Sequence, residues 1–353
     1  MFNILVIKYG SHGDVVRTSY VLPGLADKYD PCRIYWLTSD LCFDLLRYNP
    51  YVEGLFTPEF NFAKLREISF DLVISLDDEV HDLMALKGLR FGRIVGSLPY
   101  ECEAAYTNDS AEWFDMGLRS RFGKRKADEL KKRNRREHNE ILASMLGIEI
   151  RSPLFYNSSL VEKRISRSFG NDLFKIGLNS GAGSRWPSKQ LPVAETILLV
   201  EKLLSMKIDG QKTCVYLLGG AEEERRHSEI KGSVISERLA DTGNQNSLLE
   251  FAAIIKNCDY VISSDSLALH LAISQGVRSA SFYAPTSAAE IGTFGTGVKI
   301  ISQADDYCSY KRNADNSSIT ADRIVAAVKL HLRNGFCPDD QWGVREPASK
   351  RTV

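Results

Sequence analysis

The sequence has no net charge to speak of: its 45 lysines and arginines are balanced by 45 aspartates and glutamates. Overall charge therefore gives no argument for a nucleic-acid partner, and none is expected. No stretch approaches the roughly 18 consecutive apolar residues of a membrane span. The opening MFNILVIKYG has no basic segment ahead of a long apolar one, so neither a signal peptide nor a transmembrane helix is expected. Cysteine is scarce and odd in number, with seven at positions 32, 42, 102, 214, 258, 308 and 337 and no C-x-x-C spacing. That pattern argues against a disulfide frame or a zinc site and for reduced thiols in a cytosolic protein. The dinucleotide fingerprint G-x-G-x-x-G, the Walker A loop, the G-x-S-x-G elbow and the kinase patterns are all missing. No short internal repeat is present.

What remains is an ordinary soluble composition, 44% apolar and 25% charged over 353 residues, enough for two cores. The chain alternates strand and helix from the start. Asn3 to Ile7 is a continuous apolar run of the kind buried on both faces of a parallel sheet. A loop, Lys8 to Asp14, follows with G-x-x-G spacing. Val15 to Lys28 then has helical periodicity, with a kink expected at Pro23. Further strands are expected at Arg33–Thr38, Val52–Phe56, Asp71–Leu76 and Phe91–Val95, with a helix at Asn61–Ile68. From Ala111 to Glu149 the pattern is helical without clear strands. Ser152 to Phe169 reads as a crossover, after which the alternation restarts. Strands are expected at Lys175–Asn179, Val215–Leu218, Tyr260–Ile262 and from Ser281, and helices at Pro192–Met206, Ser247–Asn257, Leu267–Ser274 and Ile319–Leu332. A short helix is also expected after Tyr283. The fold class is α/β: two Rossmann-like domains facing each other across a cleft, 1–160 and 161–330, followed by a polar tail, 331–353.

Ligands of such sheets bind at the carboxyl edge of the strands. In the second half that edge carries three loops: Gly181 to Lys189, Gly219 to Glu223, and Ser263 to His270. Backbone N–H groups following Asp265, from Ser266 and Leu267 on, suit phosphate oxygens at a helix start. Lys189 suits the charge of a diphosphate, and a glutamate after Gly220 suits ribose hydroxyls. Each has a plainer alternative: a helix cap, a surface lysine, a turn. The three together on one edge favour a nucleotide diphosphate. In the first half, Asp14 stands where strand gives way to helix, either as a cap or as a general base. Lys8 and His12 share its loop. Asp77-Asp78-Glu79 offers oxygen ligands for Mg²⁺, but three adjacent carboxylates do not readily face one ion, so no metal site is expected. The segment GKRKADELKKRNRREHNE is locally basic. It is either a solvated face or, through Lys131, Lys132 and Arg133, a contact for a phosphorylated or membrane-surface substrate.

The order ILVIKYGSHGDVV, LNSGAGSRWPSKQLP, LLGGAEEE and DYVISSDSLALHLAISQGVRSASFYAPTSAAEIGTFG resembles glycosyltransferase family 9, the ADP-heptose:lipopolysaccharide heptosyltransferases, over most of residues 1 to 330. The resemblance implies a GT-B fold and a metal-independent, inverting transfer with no cofactor. It also implies a nucleotide-diphosphate sugar donor, ADP-heptose by family, held by the second domain. The acceptor would be a glycan, a glycolipid or a small molecule. On the same basis Asp14 matches the acceptor base, Lys189 the lysine on the donor phosphate, and Glu223 the ribose carboxylate. Asp265 and His270 match the aspartate and histidine of the donor-sugar turn. Lys8, His12, Lys131, Lys132 and Arg133 are the acceptor-side candidates, with peripheral contact at the inner membrane face through 124–136. Two departures stand out. Ser266-Leu267 replaces the family's Thr-Gly, and Asp77-Asp78 replaces a polar residue followed by glycine, so a lipid A-type acceptor is not implied. A sugar-nucleotide epimerase of the same fold and a non-catalytic sugar-nucleotide binder are the alternative readings.

Overall fold

The computed structural model describes residues 1–334, apart from 102, 118, 171, 184 and 185, and the strand at 341–342. These fall into two compact units. One is Met1–Ser158 with Ala289–Gly292; the other is Ser159–Ala288 with the chain from Thr293 on.

In the first unit, β1 (Phe2–Ile7), β2 (Cys32–Leu37), β3 (Val52–Phe56), β4 (Ser69–Ser75), β5 (Arg90–Tyr100) and β6 (Glu103–Tyr106) form a sheet of order β3-β2-β1-β4-β5-β6. All pairings are parallel except β5 with β6. Ile4 to Ile7 are at most 1% exposed, as a strand covered on both faces requires. Each such side chain contributes about 1.5–3 kcal/mol of burial. The chain lays β1 centrally, builds outward to β3, and returns to place β4 on the other flank. The strand order therefore reverses between β1 and β4.

Two expectations for this unit need correction. The strand expected to end at Val95 continues to Tyr100 and folds back as an antiparallel hairpin, with Pro99 opposite Ala104. The helix expected from Val15 to Lys28 is two helices, His12–Thr18 and Val21–Lys28. The break falls at Ser19–Tyr20 rather than at Pro23. Pro23 is the third residue of the second helix, where no intrahelical N–H bond is needed, and Ser19 Oγ donates back to the Val16 carbonyl at 2.7 Å.

Ala289–Gly292 completes this unit. The N–H of His138, in the first turn of helix His138–Leu146, donates to the Glu290 carbonyl at 2.9 Å. Gly292 lies so close that a Cβ there would meet Glu137 Oε2 at 2.4 Å and Asn139 Oδ1 at 2.5 Å.

The second unit contains β7 (Phe174–Asn179), β8 (Lys207–Ile208), β9 (Gln211–Leu217), β10 (Leu239–Asp241), β11 (Tyr260–Ser264), β12 (Ser279–Tyr283), β13 (Gly297–Ile301) and β14 (Gln341–Trp342). Their order is β10-β9-β7-β11-β12-β13-β14, with β8 paired to β9. The reversal here lies between β7 and β11. Helix Leu248–Lys256 starts on a capping box: Ser247 Oγ accepts from the Glu250 N–H, and the Glu250 carboxylate accepts from the Ser247 N–H at 2.8 Å.

β8, β10 and β13 were not expected. The short helix expected after Tyr283 is absent among the described residues. There the N–H groups of Ala288 and Ser287 go to the hydroxyls of Tyr307, at 2.8 Å, and Tyr310, at 3.4 Å, and not into a helical turn. The final helix runs Ala321–Asn334. Of the expected polar tail, 335–340 and 343–353 lie outside the described residues, and Gln341–Trp342 pairs with β13. Among the described residues, no helix is long and apolar enough to cross a membrane, and five cysteines (32, 42, 214, 258 and 308) are free thiols.

Candidate functional site

Where the second sheet reverses its order, β7 ends in Asn179 and β11 ends in Ser263 and Ser264. The three side chains tie adjacent loops together. Asn179 Nδ2 donates to Ser266 Oγ at 2.9 Å, and Ser263 Oγ lies 2.9 Å from the same hydroxyl. Ser264 Oγ donates to the Gly181 carbonyl at 3.3 Å. Ser266 is the N-cap of helix Leu267–Ser274 but makes no side-chain cap bond, its hydroxyl being engaged sideways. The first-turn N–H groups of that helix, beginning with Leu267, thus receive no cap from Ser266, which suits an incoming anion.

Asp265 sits just before this helix. Lys189, from the turn Pro187–Lys189, donates to both the Asp265 carbonyl and its Oδ2 at 2.9 Å. His270 Nε2 lies 3.4 Å from the other carboxylate oxygen. Burial alone would push this carboxyl up; Lys189 and His270 overcome it and hold Asp265 well below the usual carboxylate range. Lys189 from one nominated loop and Asp265 and His270 from another form one cluster. Lys189, expected on a diphosphate, is here paired with Asp265.

Glu223 is 8% exposed and uses both oxygens on backbone. Oε2 accepts from the Gly220 N–H at 2.9 Å and Oε1 from the Gly183 N–H at 3.0 Å. It therefore staples the two glycine loops. The fit depends on Gly181, where a Cβ would lie 2.4 Å from Glu223 Cγ. Gly181→Ala should cost about 1–3 kcal/mol through overpacking, read as a lower urea midpoint at unchanged slope. A midpoint equal to the parent's would mean that the loops yield without penalty.

Several supporting residues escaped the sequence reading. Gln190 donates to the Gly183 carbonyl at 2.8 Å, and Arg226 binds Gln190 Oε1 at 3.0 Å. Buried His227 lies 3.0 Å from Asp241 at the end of β10. Only Asn179 left a signal, as a polar residue closing a buried run.

In the first unit, Asp14 is in the first turn of helix His12–Thr18, whose N-cap position is Ser11. Its Oδ1 meets Arg17 Nη2 at 2.6 Å, and Ser11 Oγ donates to Oδ2 at 3.1 Å. The side chain keeps 33% exposure. His12 Nε2 lies 3.2 Å from the Leu41 carbonyl. Lys8 is ion-paired with Asp77, whose other oxygen accepts the Tyr9 N–H at 2.5 Å. Burial would lower the Lys8 ammonium, but Asp77 and then Asp14 outweigh it and raise it above its ordinary value. Among the described residues no group of three or more His, Cys, Asp or Glu is placed to hold a metal ion.

The basic segment forms helix Gly123–Arg133, which buries only Ala127. Lys124 and Lys126 pair with Asp128 and Glu129, and Arg136 pairs with Glu112. Lys132 and Arg133 are exposed; Lys131 is half-buried.

The model of glycosyltransferase family 9 (heptosyltransferase) matches residues 199–320. Among solved structures, a family 9 glycosyl transferase from Veillonella parvula is 17% identical, with a TM-score of 0.72 over 94% of this chain and 97% of its own. ADP-heptose lps heptosyltransferase II of E. coli is 17% identical, with a TM-score of 0.67 over 94% and 99%. Heptosyltransferase WaaC of E. coli, solved with ADP, is 16% identical, with a TM-score of 0.62 over 94% and 98%. A search of curated proteins gave no match. The resemblance to family 9 read from the motifs holds, and the fold is GT-B.

Proposed function

We propose that this chain, a GT-B protein resembling family 9, moves a heptose or related sugar from a nucleotide diphosphate, ADP-heptose by preference, onto an acceptor hydroxyl. The observation that carries the reading is the Lys189–Asp265–His270 cluster at the reversal of the second sheet, beside a helix start without a side-chain cap. In this reading the donor's diphosphate takes the ammonium of Lys189 and the N–H groups of Ser266 and Leu267. Asp265 and His270 then meet the sugar, and Glu223 accepts from ribose. As the bond from anomeric carbon to phosphate oxygen breaks, charge grows on the diphosphate. The ammonium and the helix N–H groups are the fixed dipoles and charge that stabilise it.

Asp14 of the first unit is the general base. It takes the acceptor's hydroxyl proton as that oxygen attacks the anomeric carbon, and configuration inverts. No metal ion is needed, since the leaving group's charge is met by protein donors. Two of the named solved structures are described as an ADP-heptose enzyme and as an ADP complex, which supports an adenine nucleotide donor. The reading extends to a cytoplasmic protein that touches the inner membrane face through 124–136, where Lys132 and Arg133 are exposed.

The experiment is a thermal-shift panel of nucleoside diphosphates. ADP at about 100 times its Kd should stabilise the fold by about 2.7 kcal/mol, and UDP and GDP by less. No shift with any nucleoside diphosphate would remove the donor site.

A further inference from the structure

Each unit reverses its strand order once, and at each reversal stands a lysine–aspartate pair. Lys189–Asp265 lies between β7 and β11, and Lys8–Asp77 between β1 and β4. Crevices at such reversals are where open α/β sheets take their ligands. The pair in the first unit is closed on itself. One Asp77 oxygen holds the Lys8 ammonium, the other holds the Tyr9 N–H, and Ser97 Oγ bonds the Asp77 carbonyl. The two side chains are only 13% and 10% exposed.

Nearby charge leans the same way. Arg17 is matched by Asp14, and Arg119 by Glu79 at 3.0 Å. Asp78 and Asp82 lie within electrostatic reach of Lys8 and Asp77 and add two further carboxylates, that of Asp82 lying 2.9 Å from His81 Nε2. Every cation named here already has an internal carboxylate. A phosphate or carboxylate entering the crevice would have to displace one of them and then sit in a field of its own sign.

We propose that the crevice between β1 and β4 selects an uncharged polyol: the acceptor is a neutral sugar with no phosphate or carboxylate beside the attacked hydroxyl. The inference deepens the transferase reading and rests on it for the role of acceptor. The discriminating element is Asp77, which acts through Lys8. Specificity here is built by repelling the wrong partner as much as by holding the right one.

The test measures binding rather than turnover. Saturation-transfer NMR on the full chain with ADP present compares methyl galactoside with the corresponding methyl galacturonoside. The neutral glycoside should bind about tenfold more tightly than the uronide. Asp77→Asn releases Lys8 to the uronide and should shrink that ratio several-fold. The double variant Lys8→Gln with Asp77→Asn should restore the preference for the neutral probe. Equal or tighter uronide binding by the parent protein overturns the proposal. So does an unchanged ratio in a cooperatively melting Asp77→Asn protein, or binding of neither probe. If Asp77→Asn does not fold, the parent's ratio decides alone. A bound neutral glycoside without transfer from any nucleotide sugar would instead count against the transferase reading and leave the crevice's preference standing.

Discussion

Asp14→Ala should lower sugar transfer by roughly 10²–10⁴-fold while leaving ADP affinity within about twofold, because a general base acts in the transition state and not on the bound donor. The residue is set for such work. Ser11 and Arg17 fix its two oxygens at 3.1 and 2.6 Å, so the carboxylate is oriented, yet a third of it remains open to solvent. Asp14→Asn keeps the shape and removes the basicity, so it should lose as much. The measurement is initial-rate kinetics beside ADP calorimetry. Turnover of the alanine variant at the parent rate would take Asp14 out of the base role. A parallel loss of ADP affinity would show that it serves the fold or the donor.

Lys189→Met should be the most destabilising change at the proposed donor site. Removing one member of a buried ion pair costs up to about 3–5 kcal/mol, the upper end being reduced here by His270, 3.4 Å from the Asp265 carboxylate. For a chain of 353 residues each kcal/mol moves the melting temperature by about 1–2 °C. The pH dependence identifies the cause. Asp265 has its folded pKa held well below the ordinary value of 3.8. The parent therefore has the full contribution of this group above that value and loses it as pH falls through the lowered one. In the methionine variant burial meets less opposition, so the folded pKa of Asp265 rises. The deficit against the parent should be largest near neutrality and shrink on acidification, when protonation removes the buried charge. A deficit that does not change with pH would mean that Lys189 acts by packing alone.

Much of the frame was legible because its strands are buried on both faces. NILVI and KIGLN leave no alternation to misread, and β1 and β7 lie where those runs do. β10 has three residues and β13 carries Lys299 in its middle, so neither declares itself as an apolar run. The helix break before Pro23 depended on a serine turning back on its own backbone. At the site, residue types and loop positions were readable one by one, but pairings were not. Lys189 meets Asp265 across 76 positions and Lys8 meets Asp77 across 69, and no local pattern records either. The same holds for Glu223, whose hold on Gly183 depends on a loop 40 residues earlier. Asp77 read as a weak metal ligand because its neighbours are acidic, whereas the structure commits it to an ammonium and an amide.

Ala289–Gly292 bears on the order in which the protein matures. Domains emerging from a ribosome generally fold as units, amino-terminal one first. Here the early unit receives its last four residues only after most of the later one has been translated. Until then the His138 N–H has no Glu290 carbonyl to meet, and Glu137 and Asn139 have no glycine backbone against them. The amino-terminal half must therefore wait in an unfinished state during synthesis, and its completion is coupled to the arrival of the half that follows.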